Sequence, residues 1–183
     1  MAFVNKTIIN SKTGQSFRFI QTAKSTNGKM LEIESSFKPN SKEPPAHYHP
    51  FQEEDFRILQ GELTVKINSE MKTLKQGDRL HIPANEVHSM WNRSGHEAVV
   101  SWKTQPALNS ENLFETITGL ANDNQTDANG KPGILQVALT VSKFSNTFRL
   151  ANPPFAIQKI LFSLIAPFAW LSGKRSVYKK YID

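Results

Sequence analysis

Cysteine is absent from this chain of 183 residues. That excludes disulfides, thiolate metal ligands and cysteine nucleophiles, and it fits a reducing compartment. Long apolar runs are missing as well. The most hydrophobic stretch, residues 154–171, is interrupted by Gln158, Lys159, Ser163 and Pro167, and it falls at the short edge of the roughly 20 residues that a bilayer span needs. The opening MAFVNKTIIN has no apolar core of a signal peptide, so the expected location is cytoplasmic. Acidic residues are scarce in one region. From Val141 onward, Lys143, Arg149, Lys159, Lys174, Arg175, Lys179 and Lys180 face Asp183 alone. This segment carries a net +6, which is the net charge of the whole chain. Residues 1–140 are therefore neutral overall and show no electrostatic footprint for nucleic acid, whereas the C-terminal segment is suited to something anionic.

What is present up to about residue 106 reads as β structure. Residues 3–9 and 16–23 are short β-rich runs. Asn27-Gly28 signals a hairpin leading into a strand at Met30–Phe37. Pro39, Pro44 and Pro45 break the next stretch into a loop. Beyond it Glu54, Phe56 and Ile58 alternate with Asp55, Arg57 and Leu59, and Leu63, Val65 and Ile67 alternate with Glu62, Thr64 and Lys66. Further strands are expected at Met71–Leu74, Arg79–Ile82, Val87–Asn92 and Ala98–Lys103. Many short strands at regular spacing imply a sandwich or barrel. After Pro106 the pattern changes. Helices are expected from Asn109 or Ser110 to about Ala121, from Ile134 to about Phe148, and from Pro154 to about Leu171 with Gly173 as the stop. The expected division is a β-barrel at 1–106 and a helical extension at 107–183.

Four side chains in the β region form a candidate metal site: His47, His49, Glu54 and His88. His47 and His49 are two apart, so on an extended strand they share a face. Three neutral imidazoles and one carboxylate suit a first-row divalent ion such as Fe, Mn, Ni, Cu or Zn, with open positions left for substrate, dioxygen or water. Glu53 and Asp55 flank Glu54 but point to the opposite strand face. His81 and His96 stand outside the pattern and are expected at the surface. Phe56, Met90 and Trp102 share the inward face and are candidates to line a substrate pocket, unless they simply fill a small barrel.

The spacing around these residues resembles that of the cupins. His47, His49, Glu54 and Gly61 read as H-x-H-x4-E-x6-G, and Gly77, Pro83, Asn85, His88 and Asn92 read as G-x5-P-x-N-x2-H-x3-N. The family has glycine where Asn85 stands, and asparagine is the next-best residue for a positive φ. Fifteen residues separate Gly61 from Gly77, a short spacing like that of the smaller bacterial members. The resemblance covers roughly residues 30–105. It implies a small antiparallel barrel of jelly-roll type with a metal held inside by those four residues, and a homodimer formed through barrel edges. It does not imply one reaction, since the family includes enzymes of several kinds and non-enzymatic binders.

The function expected first is a metal-dependent dioxygenase-type oxidoreductase acting on a small organic substrate, with Glu54 also available as a general base. The alternative is a non-catalytic metal- or ligand-binding module that docks through its basic, apolar C-terminal helix. For residues 154–181 two placements are open: packing on the barrel or on a partner subunit, or lying at a membrane interface with the basic cluster on anionic headgroups.

Overall fold

The computed structural model describes residues 2–182. Alternation of side chains builds its two antiparallel sheets. One has strand order β1-β2-β3-β10-β5-β8, from β1 (Thr7–Ile9), β2 (Ser16–Gln21), β3 (Leu31–Phe37), β5 (Glu53–Gln60), β8 (Arg79–Ile82) and β10 (Ala98–Gln105). The other runs β11-β4-β9-β6-β7, from β4 (His47–Tyr48), β6 (Glu62–Ile67), β7 (Glu70–Lys75), β9 (His88–Trp91) and β11 (Arg149–Leu150). In β5, Glu54, Phe56 and Ile58 are buried while Glu53 and Arg57 are exposed, the parity expected from the sequence. The barrel core gathers Phe37, Phe56, Ile58, Leu63, Val65 and Val100 between the sheets. The chain is mainly β, as expected, followed by a helical extension.

Turns fix the register that this parity depends on. Asn27 and Gly28 take φ of 53° and 78° within the longer connection, residues 22–30, that joins β2 to its antiparallel partner β3. Gly61, at φ 71°, lets β5 turn into β6, and a Cβ there would strike the carbonyl oxygen of Glu97. Asn85 adopts φ 70°, so asparagine does keep the turn. Its amide donates to the carbonyl of His49 at 2.8 Å, tying the turn before β9 directly to the histidine segment.

The extension holds α1 (Ser110–Asn122), α2 (Ile134–Lys143), α3 (Phe155–Leu171) and a short α4 (Lys179–Ile182). Phe114 of α1 stacks on Phe17 at 4.8 Å between ring centroids and meets the edge of Trp102 at 5.2 Å. Gln52, 1% exposed, donates to the carbonyls of Pro106 and Ala107 at 2.6 and 3.1 Å. Lys6 pairs with the buried Glu115 at 2.6 Å. Contacts therefore run across the boundary expected near residue 106.

One expectation is corrected. The second helix does not continue to Phe148 but ends at Lys143. Ser145, Asn146 and Thr147 are poor helix formers, and the chain turns on the Phe144 carbonyl, which accepts from the amides of Thr147 and Phe148 at 2.7 and 2.9 Å. Arg149 and Leu150 then extend as β11 and pair with Tyr48 and His47. Helix α3 stops where expected, with Gly173 at φ 81°. Its side chain Gln158, 1% exposed, donates to the carbonyls of Leu150 and Pro153 at 2.8 and 2.6 Å and so fastens the helix to β11. Among the described residues no helix is long and apolar enough to cross a membrane.

Candidate metal centre

Both sheets and one loop deliver the four expected residues to a single point. His47 on β4 and His88 on β9 are directly opposed in the ladder. Glu54 comes from β5 of the other sheet, and His49 from the segment just past β4. The imidazole centroids are 4.6 Å apart for His47 and His88, 5.2 Å for His47 and His49, and 5.4 Å for His49 and His88. One ring nitrogen from each lies within 4.8 Å of the others. Glu54 Oε2 is 3.0 Å from His88 Nε2, and Oε1 is 3.4 Å from His49 Nε2. Glu54 is 1% exposed, His88 3% and His49 8%, while His47 is partly open.

The outer nitrogens determine what the inner ones can do. His47 Nδ1 lies 3.2 Å from the Pro45 carbonyl, His88 Nδ1 2.9 Å from that of Glu86, and His49 Nδ1 2.6 Å from that of Thr147. A carbonyl oxygen can only accept, so each Nδ1 carries a proton and donates it. Each neutral ring therefore keeps its Nε2 lone pair for the centre. Backbone acceptors of this kind fix ring orientation and raise the basicity of a metal-ligating imidazole. His49 Nε2 and Glu54 Oε2 are buried without a hydrogen-bond partner, so the 3.0 Å approach of His88 to Glu54 lacks hydrogen-bond alignment. Buried polar atoms left in this state are costly unless an ion satisfies them. The donor set therefore fits a divalent transition ion, with nitrogen and oxygen ligands and no sulfur.

Electrostatics keep the donors ready. Burial, with the neighbouring His88 and His49 adding to it, pushes the His47 imidazole down to about 3, so it is neutral at physiological pH. Burial alone would raise the Glu54 carboxyl. The nearby imidazoles of His49, His88 and His47 outweigh it and hold Glu54 at about 2. His88 moves the other way: burial lowers it, but the Glu54 carboxylate 3.0 Å away and the Glu86 carbonyl prevail and raise it. Trp102 Nε1 donates to Glu54 Oε1 at 2.9 Å, which leaves Oε2 as the inward oxygen.

These shifts predict the acid response of the metal-free protein. For His47 and Glu54 the folded values lie below the ordinary values of 6.5 and 4.5. The unfolded chain then binds more protons across those intervals, and their contribution to stability is lost as pH falls. The raised His88 opposes this only above its ordinary value, where its contribution fades as pH rises. Stability measured by urea denaturation is therefore expected to fall steadily from pH 6.5 toward pH 3. In a His47→Gln variant the portion between pH 6.5 and 4.5 is expected to flatten, and an unchanged profile would sink the assignment.

The remaining expected residues fall as follows. Phe56 and Met90 lie in the packed barrel core, and Trp102 bridges that core and the cluster under α1. The Phe56 and Trp102 rings are 5.3 Å apart. Arg57 points outward, His81 pairs with Asp55 at the surface at 3.0 Å, and His96 is exposed. Two hollows of about 220 and 360 Å³ are lined by none of the four centre residues, the first at Asp123, Lys174 and Tyr181, the second at Phe51, Gln52 and Pro106.

Sequence reasoning missed Thr147, Phe148 and Arg149. Thr147 supplies the acceptor for His49. Phe148 sets its ring edge-on to His47 at 6.2 Å. Arg149 stacks on Phe155 at 3.6 Å and reaches Phe51, just past His49, at 5.9 Å. Nothing local marks them: a carbonyl acceptor has no residue signature, and a two-residue strand is too short for a period.

Residues 33–102 match the family model described as Cupin domain. Quercetin 2,3-dioxygenase of Bacillus subtilis (strain 168) is 36% identical over 75 residues, which make up 41% of this chain and 22% of that protein. The chain thus spans about a fifth of the length of the curated relative it matches. Among solved structures, a predicted oxalate decarboxylase from Thermotoga maritima superposes with a TM-score of 0.49 and 19% identity, covering 56% of this chain and 92% of that one. A sugar phosphate isomerase from a cupin superfamily, from Silicibacter pomeroyi, gives a TM-score of 0.48 and 18% identity, covering 55% of this chain and 70% of that one.

Proposed function

We propose that this chain, whose residues 33–102 match the cupin domain, holds one divalent transition metal ion on His47, His49, Glu54 and His88 and acts as a dioxygenase-type oxidoreductase on a small organic substrate. The observation that carries the metal reading is the set of three Nδ1–H to carbonyl contacts, at 3.2, 2.6 and 2.9 Å, which turn three Nε2 lone pairs toward one buried carboxylate. The likeness to quercetin 2,3-dioxygenase over 75 residues supports the reaction class.

A bound ion supplies Lewis acidity and, if redox-active, a path for electrons to dioxygen. The residues of this chain do the rest. The three imidazoles stay oriented because each Nδ1 is fixed to a backbone carbonyl. Glu54 brings one negative charge, and the Trp102 indole N–H holds one of its oxygens. A carboxyl held at about 2 is a weak proton acceptor, so Glu54 is better suited to hold charge than to act as a base. His47, the most open of the four, marks the approach for substrate, and Phe148 beside it makes that approach apolar.

The test is metal analysis of the purified protein, followed by dioxygen-uptake assays with Fe, Mn, Ni, Cu or Zn added separately. Quercetin and smaller hydroxylated aromatics form the substrate panel. Stoichiometric metal with dioxygen consumption and an oxidised product is the expected result. Metal and ligand binding without product would favour a second reading, a non-catalytic binding module. The packing of Phe56 and Met90 into the barrel core favours that alternative, because it limits room beside the ligands.

A further inference from the structure

Helix α3 is apolar on two faces, and only one of them is used. Gln158, Phe162 and Ala169 face inward, with Phe162 packed against Ala138 and Val141 of α2. On the other side Ile157, Ile160, Leu161, Leu164, Phe168 and Leu171 recur at spacings of three and four and are all exposed, Leu164 at 66%, Phe168 at 68% and Leu171 at 77%. They form one continuous stripe along the helix. Scattered exposed apolar residues are ordinary, but a contiguous stripe marks an interaction surface.

What lies beside the stripe identifies the occupant. Trp170 is exposed at the C-terminal end of the helix. The Arg175 guanidinium stands 5.1 Å from its ring centroid. Lys179 and Lys180 follow, both exposed, and Lys159 lies within the helix on the solvent side. The segment from Val141 to Ile182 contains no acidic residue. We infer that α3 and the basic segment after it form a docking surface for the interface of an anionic lipid bilayer. The stripe enters the boundary between headgroups and acyl chains, Trp170 sits at headgroup level, and the Lys/Arg cluster meets the negative surface.

Charge complementarity decides between the possible occupants. A second copy placed on this stripe would bring two segments of net +6 together, whereas an anionic bilayer supplies the opposite charge. The helix is suited to lying flat rather than spanning: it has 17 residues, with Pro167 inside. Because α2 holds its inner face, it is presented on a rigid base and needs no unfolding to dock.

The test is co-sedimentation of the full-length protein with vesicles of phosphatidylcholine alone and of phosphatidylcholine with 30% phosphatidylglycerol. Binding is expected to the anionic vesicles, to weaken with added salt, and to be at least roughly tenfold weaker in a Leu164→Glu/Phe168→Glu variant. Arg175→Gln/Lys179→Gln is expected to lower binding by about fivefold per charge removed. All four positions are on the surface, and unchanged far-ultraviolet circular dichroism confirms that the variants are folded. Absence of binding to anionic vesicles would overturn the inference, as would binding that Leu164→Glu/Phe168→Glu leaves intact. A dimer that the same double variant dissociates would overturn it in favour of a second copy of the chain.

Discussion

His88→Ala is expected to weaken divalent-ion binding by at least about 100-fold, measured by competition with a chromophoric chelator, while the barrel stays folded. His88 is 3% exposed and stands at the meeting point of the two sheets: opposite His47 in the ladder and 3.0 Å from Glu54. Removing it takes away one donor and leaves Glu54 buried without one of the neighbours that offset its burial. Two effects follow. Ion affinity collapses, and the Glu54 carboxyl rises from its low value because burial is then less opposed. His81→Ala is the matched control. That histidine is exposed, pairs only with Asp55 at the surface, and is expected to change stability by no more than about 0.5 kcal/mol and ion affinity not at all. Equal ion affinity in His88→Ala and the parent protein would refute the centre.

Phe162→Ala is the second large expected effect, and it acts at a distance. Phe162 is 4% exposed and anchors α3 on α2, in a cluster against which Phe148 and Leu150 also pack. Truncation removes most of a buried aromatic ring, a change that costs about 3–5 kcal/mol where the site cannot collapse. Thermal denaturation is expected to show this as a lower melting temperature. The second consequence concerns the metal. Phe148 and Leu150 flank the Thr147 carbonyl that fixes His49 and the β11 pairing that covers His47. When the cluster loosens, His49 loses its fixed acceptor, and ion affinity is expected to fall by about 10–100-fold, the range for loss of a partner to a ligating histidine. A stability loss with unchanged ion affinity would mean that the barrel alone orients the centre. The Gln158 bonds to Leu150 and Pro153 predict coupling instead, because the same helix that Phe162 anchors also holds β11.

The two predictions separate what was legible in the chain from what was not. The residues of the centre could be read because strand geometry is local. A period of two places Glu54, Phe56 and Ile58 on one face whatever the rest of the chain does, and turn residues such as Asn27, Gly61 and Asn85 state their positive φ through their identity. Helix α3 could be bounded by its apolar run, by Pro154 and by Gly173 for the same reason.

Tertiary structure decided the rest, wherever a backbone atom or a distant partner was the deciding party. The periodicity after Ile134 predicts a helix to Phe148, yet the helix ends at Lys143, the chain turns through Ser145, Asn146 and Thr147, which are poor helix formers, and Arg149 and Leu150 pair with β4. The acceptor for His49 is a main-chain carbonyl, which every residue possesses and none advertises. The choice of Trp102 as partner for Glu54 depends on the opposition of Phe56 and Trp102 across β5 and β10. The sequence by itself therefore determined the candidate donor set, the parity of the strands and the positive C-terminal segment, since each is a property of residue identity and short-range spacing. Only the fold determined that this segment packs against the candidate centre, because that packing is made by contacts about 100 residues apart.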